Sequence, residues 1–111
     1  MSDTSRSRAQ LSQESTRLYL SGRLDHASVA DLYPTGRARI REAAGGGGPL
    51  ILDLSRLDGS DSSALALLID WLRTAHANSV QLRFCALPRQ LREIARVCGL
   101  VEYLDSMTDA A

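Results

Sequence analysis

Residues 50–78 read LILDLSRLDGSDSSALALLIDWLRTAHAN, and the fold is decided here. Residues 50–54 are apolar except for Asp53. A short, nearly continuous apolar run reads as a central strand covered on both faces. Residues 55–60 are polar and contain Asp58-Gly59, which predicts a turn. From Ser62 the period changes. At about 100° per residue, Leu65, Leu68, Leu72 and Ala75 form the middle of an apolar arc over 62–78, which predicts a helix. Ser62, Ser63, Ala66, Asp70, Arg73 and Ala77 fall on the opposite face. Leu67 and Trp71 fall on one rim of the arc, Ile69 and His76 on the other.

Working outward, Leu18 and Leu20 alternate with Arg17 and Tyr19, which predicts a half-buried strand over 16–21 that Gly22 ends. Residues 9–13 form a candidate edge strand before it. Residues 26–44 carry apolar positions at helical spacing, but Pro34 and Gly36 interrupt them. The expectation is a kinked helix, or one whose regular part starts near Pro34. The glycine run 45–48 follows a helix and precedes a strand, the reverse of a phosphate-cradling loop, and reads as a connection. Val80, Leu82 and Phe84 alternate with polar neighbours and predict a further strand. Pro88 opens a helix with Leu91, Ile94, Ala95 and Cys98 on its inner face, and Gly99 stands at its C-terminal cap. Residues 100–104 read as a short strand or turn. Strands alternating with helices give an α/β fold with a parallel sheet, and an antiparallel first hairpin makes it mixed. The expected organisation is one domain over 14–107, a flexible tail at 1–13 that includes the edge strand, and a tail at 108–111.

The 111 residues carry 13 basic and 13 acidic groups, for a net charge of +0. That balance speaks against nucleic-acid binding, which needs a basic field, and against adhesion to anionic lipid. Every basic residue is arginine. Without lysine there is no Schiff-base chemistry and no Walker A lysine. No apolar run is long enough to span a bilayer, and residues 1–10 lack the apolar core of a signal peptide, so the expected location is cytoplasmic, with no membrane insertion. Cys85 and Cys98 are too far apart for a metal or redox pair and are expected as reduced thiols in or near the core.

The helix start at Ser60, Asp61 and Ser62 supports two readings. Their side chains cap free backbone N–H groups. An exposed hydroxyl there is also a good phosphate acceptor, because the helix dipole favours added negative charge. Asp53, Asp58 and Asp61 are expected together at the end of the central strand, where ligand sites collect in open α/β sheets. No cationic clamp accompanies them, so neither metal nor cofactor is expected. His26 and His76 stand alone, and Arg89, Arg92 and Arg96 read as a solvated helix face. Trp71 is either a core residue with an exposed edge or an interface anchor. No convergent acid, base and nucleophile set is present, so an enzyme is not expected.

Two stretches carry a family resemblance. Leu20-Ser21-Gly22-Arg23-Leu24-Asp25-His26 resembles the L-x-G-x-L-D segment early in STAS domains. Asp61-Ser62-Ser63-Ala64-Leu65 resembles their D-[ST]-x-G-L signature at the start of the second helix, and the strand before it also fits. The resemblance covers about residues 14–107. It implies a mixed, mostly parallel sheet of about four strands with helices mainly on one side. Two branches are implied. In one, STAS subunits of the MlaB type bind the MlaF ATPase of a phospholipid-trafficking ABC transporter, and through it the permease, at the cytoplasmic side of the inner membrane. In the other, anti-sigma factor antagonists are phosphorylated by a partner serine kinase at the residue matching Ser62, with the residue matching Asp25 close by. Residues 64–69, 27–34 and 87–91 look more like the MlaB branch. The resemblance thus implies a protein-docking surface centred on Ser62 and formed with Asp61, Ser63, Ala66, Asp70 and Arg73, with Leu67 and Trp71 as rim anchors and Asp25 in support. Ala64 departs from the family glycine, and a methyl group there is expected to alter the close approach of a partner or kinase.

Overall fold

The computed structural model describes residues 9–107. The tail residues 1–8 and 108–111 lie outside the described residues. The elements run β1 (Gln10–Glu14), β2 (Arg17–Leu24), α1 (His26–Ala43), β3 (Leu50–Ser60), α2 (Ser62–Ala77), β4 (Leu82–Cys85), α3 (Arg89–Val97) and α4 (Val101–Ser106). One sheet has the order β1-β2-β3-β4. β1 pairs antiparallel with β2, while β2–β3 and β3–β4 are parallel. Ser15 takes a left-handed φ of 58° in the tight hairpin, where the strand twist requires it.

The register sorts side chains onto two faces. Leu18, Leu52 and Phe84 lie on one rung and are buried with Leu20 and Leu54. α1 and α2 cover this face, adding Leu32, Ile40, Leu68 and Leu72 to the core. The neighbouring rung, Tyr19, Asp53 and Cys85, points the other way and is only half-buried. The expectation that β3 is covered on both faces is therefore corrected. A charge is tolerated at Asp53 because its second face keeps contact with water and with Arg17, 3.0 Å away.

β3 also absorbs the predicted 55–60 turn. Its register against β2 shifts between Tyr19 and Ser21 and again between Gly22 and Arg23. At the first shift the Asp53 carboxylate accepts from the Ser55 N–H (2.9 Å) and hydroxyl (2.6 Å). That local hydrogen bonding is a turn signal, but here it forms a bulge inside a continuing strand. Gly22, with φ 85°, belongs to the second shift and does not end β2.

α1 is unbroken through Pro34 and Gly36. Its start is fixed by a capping box: the Asp25 carboxylate accepts from the Ser28 N–H, and the Ser28 hydroxyl accepts from the Asp25 N–H, both at 3.1 Å. Gly36 is required by packing. A Cβ there would lie 2.0 Å from Cε2 of Trp71, whose ring sits against the helix backbone. Residues 100–104 are mainly helical, as part of α4, and are not a strand. At the sheet edge the Phe84 N–H donates to the Met107 carbonyl, just after α4, at 2.7 Å. Cys85 is half-buried, but Cys98 is exposed at the end of α3, which corrects its expected place on that helix's inner face.

Candidate protein-docking surface

Ser62 is the first residue of α2 and is exposed, and its hydroxyl has no side-chain partner among the described residues. The residue before it holds the local geometry. Asp61 is the N-cap, extended at φ −127°, and its Oδ1 accepts from the Ser63 N–H at 2.9 Å and from the Ser63 hydroxyl. Its other oxygen accepts from the backbone N–H of His26 at 3.2 Å. One carboxylate thus fastens the first turns of α1 and α2 together. The Ser63 hydroxyl, then the Ser63 and His26 N–H groups, hold the Asp61 carboxyl below its ordinary range and outweigh partial burial. Asp25 lies half-buried at the start of α1, capping that helix and pairing with Arg23 at 3.4 Å. The expected neighbours of Ser62 do converge on this corner.

Along α2 the surface continues through Ala66, which is exposed, to Asp70 and Arg73. Asp70 is half-buried and bound in bidentate fashion: Arg37 Nε and Nη2 each donate to it at 2.8 Å. Hydrogen bonding to Asp70 holds the Arg37 guanidinium above its ordinary range. Arg37 in turn lies 5.6 Å from the centre of the Tyr33 ring. Arg37 joins the candidate surface through Asp70, a contact the sequence did not reveal. Its partner is 33 positions away, and no local pattern signals the pair.

Two expected anchors are corrected. Leu67 and Trp71 are both 0% exposed. The helix-rim position of Trp71 does not face solvent, because α1 lies over it and the Tyr33 carbonyl accepts its indole N–H at 3.3 Å. Ala64 is also 0% exposed, so its methyl group faces the core and not an approaching partner. The expected triad of Asp53, Asp58 and Asp61 does not form. Asp53 sits in the first half of β3, tied to Arg17 and Ser55, and no cluster of metal-binding side chains occurs among the described residues. Burial acts to raise the Asp53 carboxyl, but the Ser55 hydroxyl and N–H and the Arg17 charge outweigh it and hold it below its ordinary range.

The outcome is an exposed stripe along the start and middle of α2. It has a bare hydroxyl at a helix start, a small side chain one turn on, and a fixed ion pair beyond. Such a surface suits close approach of a protein. The free end of α2 also favours negative charge at Ser62, although Asp61 beside it opposes a phosphoryl group.

The model of the family described as "Mlab, STAS domain" matches residues 7–107. Among solved structures, a chain of the Acinetobacter MlaFEDB complex in its ATP-bound Vtrans2 conformation is 34% identical, with a TM-score of 0.67 over 79% of this chain and 90% of that one. The anti-sigma factor antagonist SpoIIAA in its unphosphorylated form is 23% identical, with a TM-score of 0.62 over 93% of this chain and 87% of that one. The phosphorylated form of the Bacillus cell fate determinant SpoIIAA gives 23% identity and a TM-score of 0.61 over 93% and 90%. These last two share the fold. No curated protein matches the chain. With four strands in mixed order, the two helix starts joined through Asp61, and a family match over most of its length, this chain belongs to the STAS domain family.

Proposed function

We propose that this protein is a non-catalytic accessory subunit. It docks through the Ser62 surface onto the cytoplasmic ATPase of a phospholipid-transporting ABC complex, and through it meets the permease. It would act at the inner membrane by way of this partner; none of its described helices is long and apolar enough to cross a membrane. The observation that carries the reading is the exposed stripe of Ser62, Ala66 and Arg73, held by the Asp61 cap and the Arg37–Asp70 pair. The likeness to a chain of the MlaFEDB complex supports the choice of partner. Affinity capture from native lysate, with identification of the captured proteins, tests it. An ABC ATPase retained by wild type and depleted with Ser62→Glu supports the reading, and absence of any ATPase contradicts it.

A second reading rests on the bare Ser62 hydroxyl at the start of α2 and on the fold shared with SpoIIAA. In that reading the protein is an anti-sigma factor antagonist, and a partner serine kinase switches it by phosphorylating Ser62. Intact-mass measurement of native protein, with and without an added phosphate, separates the two readings.

A further inference from the structure

The sheet has two edges, and they differ. At β4 the Leu50 N–H donates to the Gln81 carbonyl at 2.8 Å, so Gln81, Arg83 and Cys85 turn their backbone groups toward β3, while Leu82 and Phe84 turn theirs outward. The chain after α4 covers that side, where the Met107 carbonyl accepts from the Phe84 N–H. β1 is the other edge, and no strand of the described residues lies beyond it. The Ile51 N–H donates to the Thr16 carbonyl at 3.0 Å, so Thr16, Leu18 and Leu20 turn toward β3. Arg17, Tyr19 and Ser21 therefore turn toward β1, where their register partners are Glu14, Ser12 and Gln10. This directs the N–H and C=O groups of Leu11 and Gln13 out of the sheet. Such an edge is a template for another strand. The usual protections are lacking: Gln10–Glu14 holds no proline, no lysine and no register shift, and its one charge, Glu14, stands at the hairpin end.

The edge is also complementary to itself. With a two-fold axis through Ser12, an antiparallel second copy sets Leu11 of each chain against Gln13 of the other. The outward donors and acceptors of the two copies are then all used, by exchange of N–H and C=O within each Leu11–Gln13 pair. Gln10 faces Glu14, a neutral amide against a carboxylate, and no like charges meet. The two Ser12 side chains, small and exposed, meet at the axis. We propose that β1 pairs antiparallel with β1 of a second copy of this chain, centred on Ser12, and joins two sheets into one continuous sheet. A strand of five residues is short for an interface of standard size, about 1,600 Å², so the dimer forms at high concentration, with a Kd of about 10 μM to 1 mM. No residue of β1 belongs to the Ser62 surface, so the inference does not rest on the docking reading.

The test is sedimentation of the full chain across about 10 μM to 1 mM, with amide hydrogen exchange at both ends of that range. Association should rise with concentration. Protection of the Leu11 and Gln13 amides should rise about twofold or more with it, while the Ser12 amide, turned toward Tyr19, should be protected throughout. Ser12→Arg and Ser12→Asp each set like charges at the axis and should each weaken association about threefold or more, and an equimolar mixture of the two should restore it. Gln13→Pro removes an outward donor and leaves the ladder to β2 its bonds, so it should weaken association too. Thermal unfolding of each variant checks that the fold is kept. A monomer at every concentration, Leu11 and Gln13 amides that exchange alike throughout, or a mixture that associates no better than either charged variant alone would each overturn the proposal.

Discussion

The carboxylate of Asp61 accepts a hydrogen bond from the backbone N–H of His26, 35 positions earlier in the chain, at 3.2 Å. This joins the first turns of α1 and α2, while the same side chain caps its own helix through Ser63. The two sequence motifs of the chain, one ending at His26 and one beginning at Asp61, therefore meet in a single contact. Ser62 is presented from a start that two helices hold in place.

Removing that carboxylate should be felt in stability. Asp61→Ala loses the N-cap of α2 and the bond to His26. The expected cost is about 1–2 kcal/mol, the upper part of the range for helix caps. Asp61→Asn keeps an acceptor and should lose less. Chemical denaturation of the three proteins at neutral pH checks the order.

The same group sets a pH dependence. The folded Asp61 carboxyl lies below its unfolded value, so the folded state favours the ionised form. Its contribution is complete above the unfolded carboxylate range, about pH 4, and is lost as the pH falls through the lower folded value. Asp53 is shifted in the same direction and acts with it. Thermal unfolding of wild type should therefore weaken toward acid, and Asp61→Ala should show a shallower decline over the same range.

Gly36 should tolerate no side chain. A methyl group there meets the Trp71 ring at 2.0 Å, so α1 or the indole must move. Helix propensity favours alanine by about 1 kcal/mol, but overpacking costs about 1–3 kcal/mol or more. A net loss of stability is expected for Gly36→Ala, together with a shift in tryptophan emission as the buried ring is displaced. An unchanged or stabilised protein would contradict the packing of α1 on α2.

The two thiols should differ in rate. Cys98 is exposed at the end of α3, while Cys85 is half-buried on the open face of the sheet. A soluble alkylating reagent under native conditions should modify Cys98 first, leaving Cys85 for later or for denatured protein. Peptide mapping over time reads this directly.

Much of the fold was legible because the strands and helices follow simple periods. Leu18 and Leu20, the arc through Leu65, Leu68 and Leu72, and the helix after Pro88 all lie where the pattern puts them. What was not legible depended on partners distant in sequence. Pro34 and Gly36 read as helix breakers, yet Gly36 is the seat of Trp71. Residues 55–60 read as a turn because they are polar and contain Asp58-Gly59, yet pairing with β2 carries the strand on to Ser60. At the site, helical spacing alone placed Ser62, Ala66 and Arg73 on an open face. It also put Leu67 and Trp71 at a rim that is buried, Trp71 beneath α1, and it gave no sign of Arg37.

In the proposed function Ser62 lies at the heart of a docking surface for a transporter ATPase. The most direct measurement is a binding titration of purified wild type, Ser62→Glu and Arg89→Glu against the ATPase subunit. Ser62→Glu would place an unpaired charge in a desolvated contact, and breaking or mispairing buried charge costs several kcal/mol. A loss of at least a hundredfold is expected for Ser62→Glu, and no change for Arg89→Glu, on the exposed side of α3. Equal affinity of all three proteins for the ATPase would contradict it.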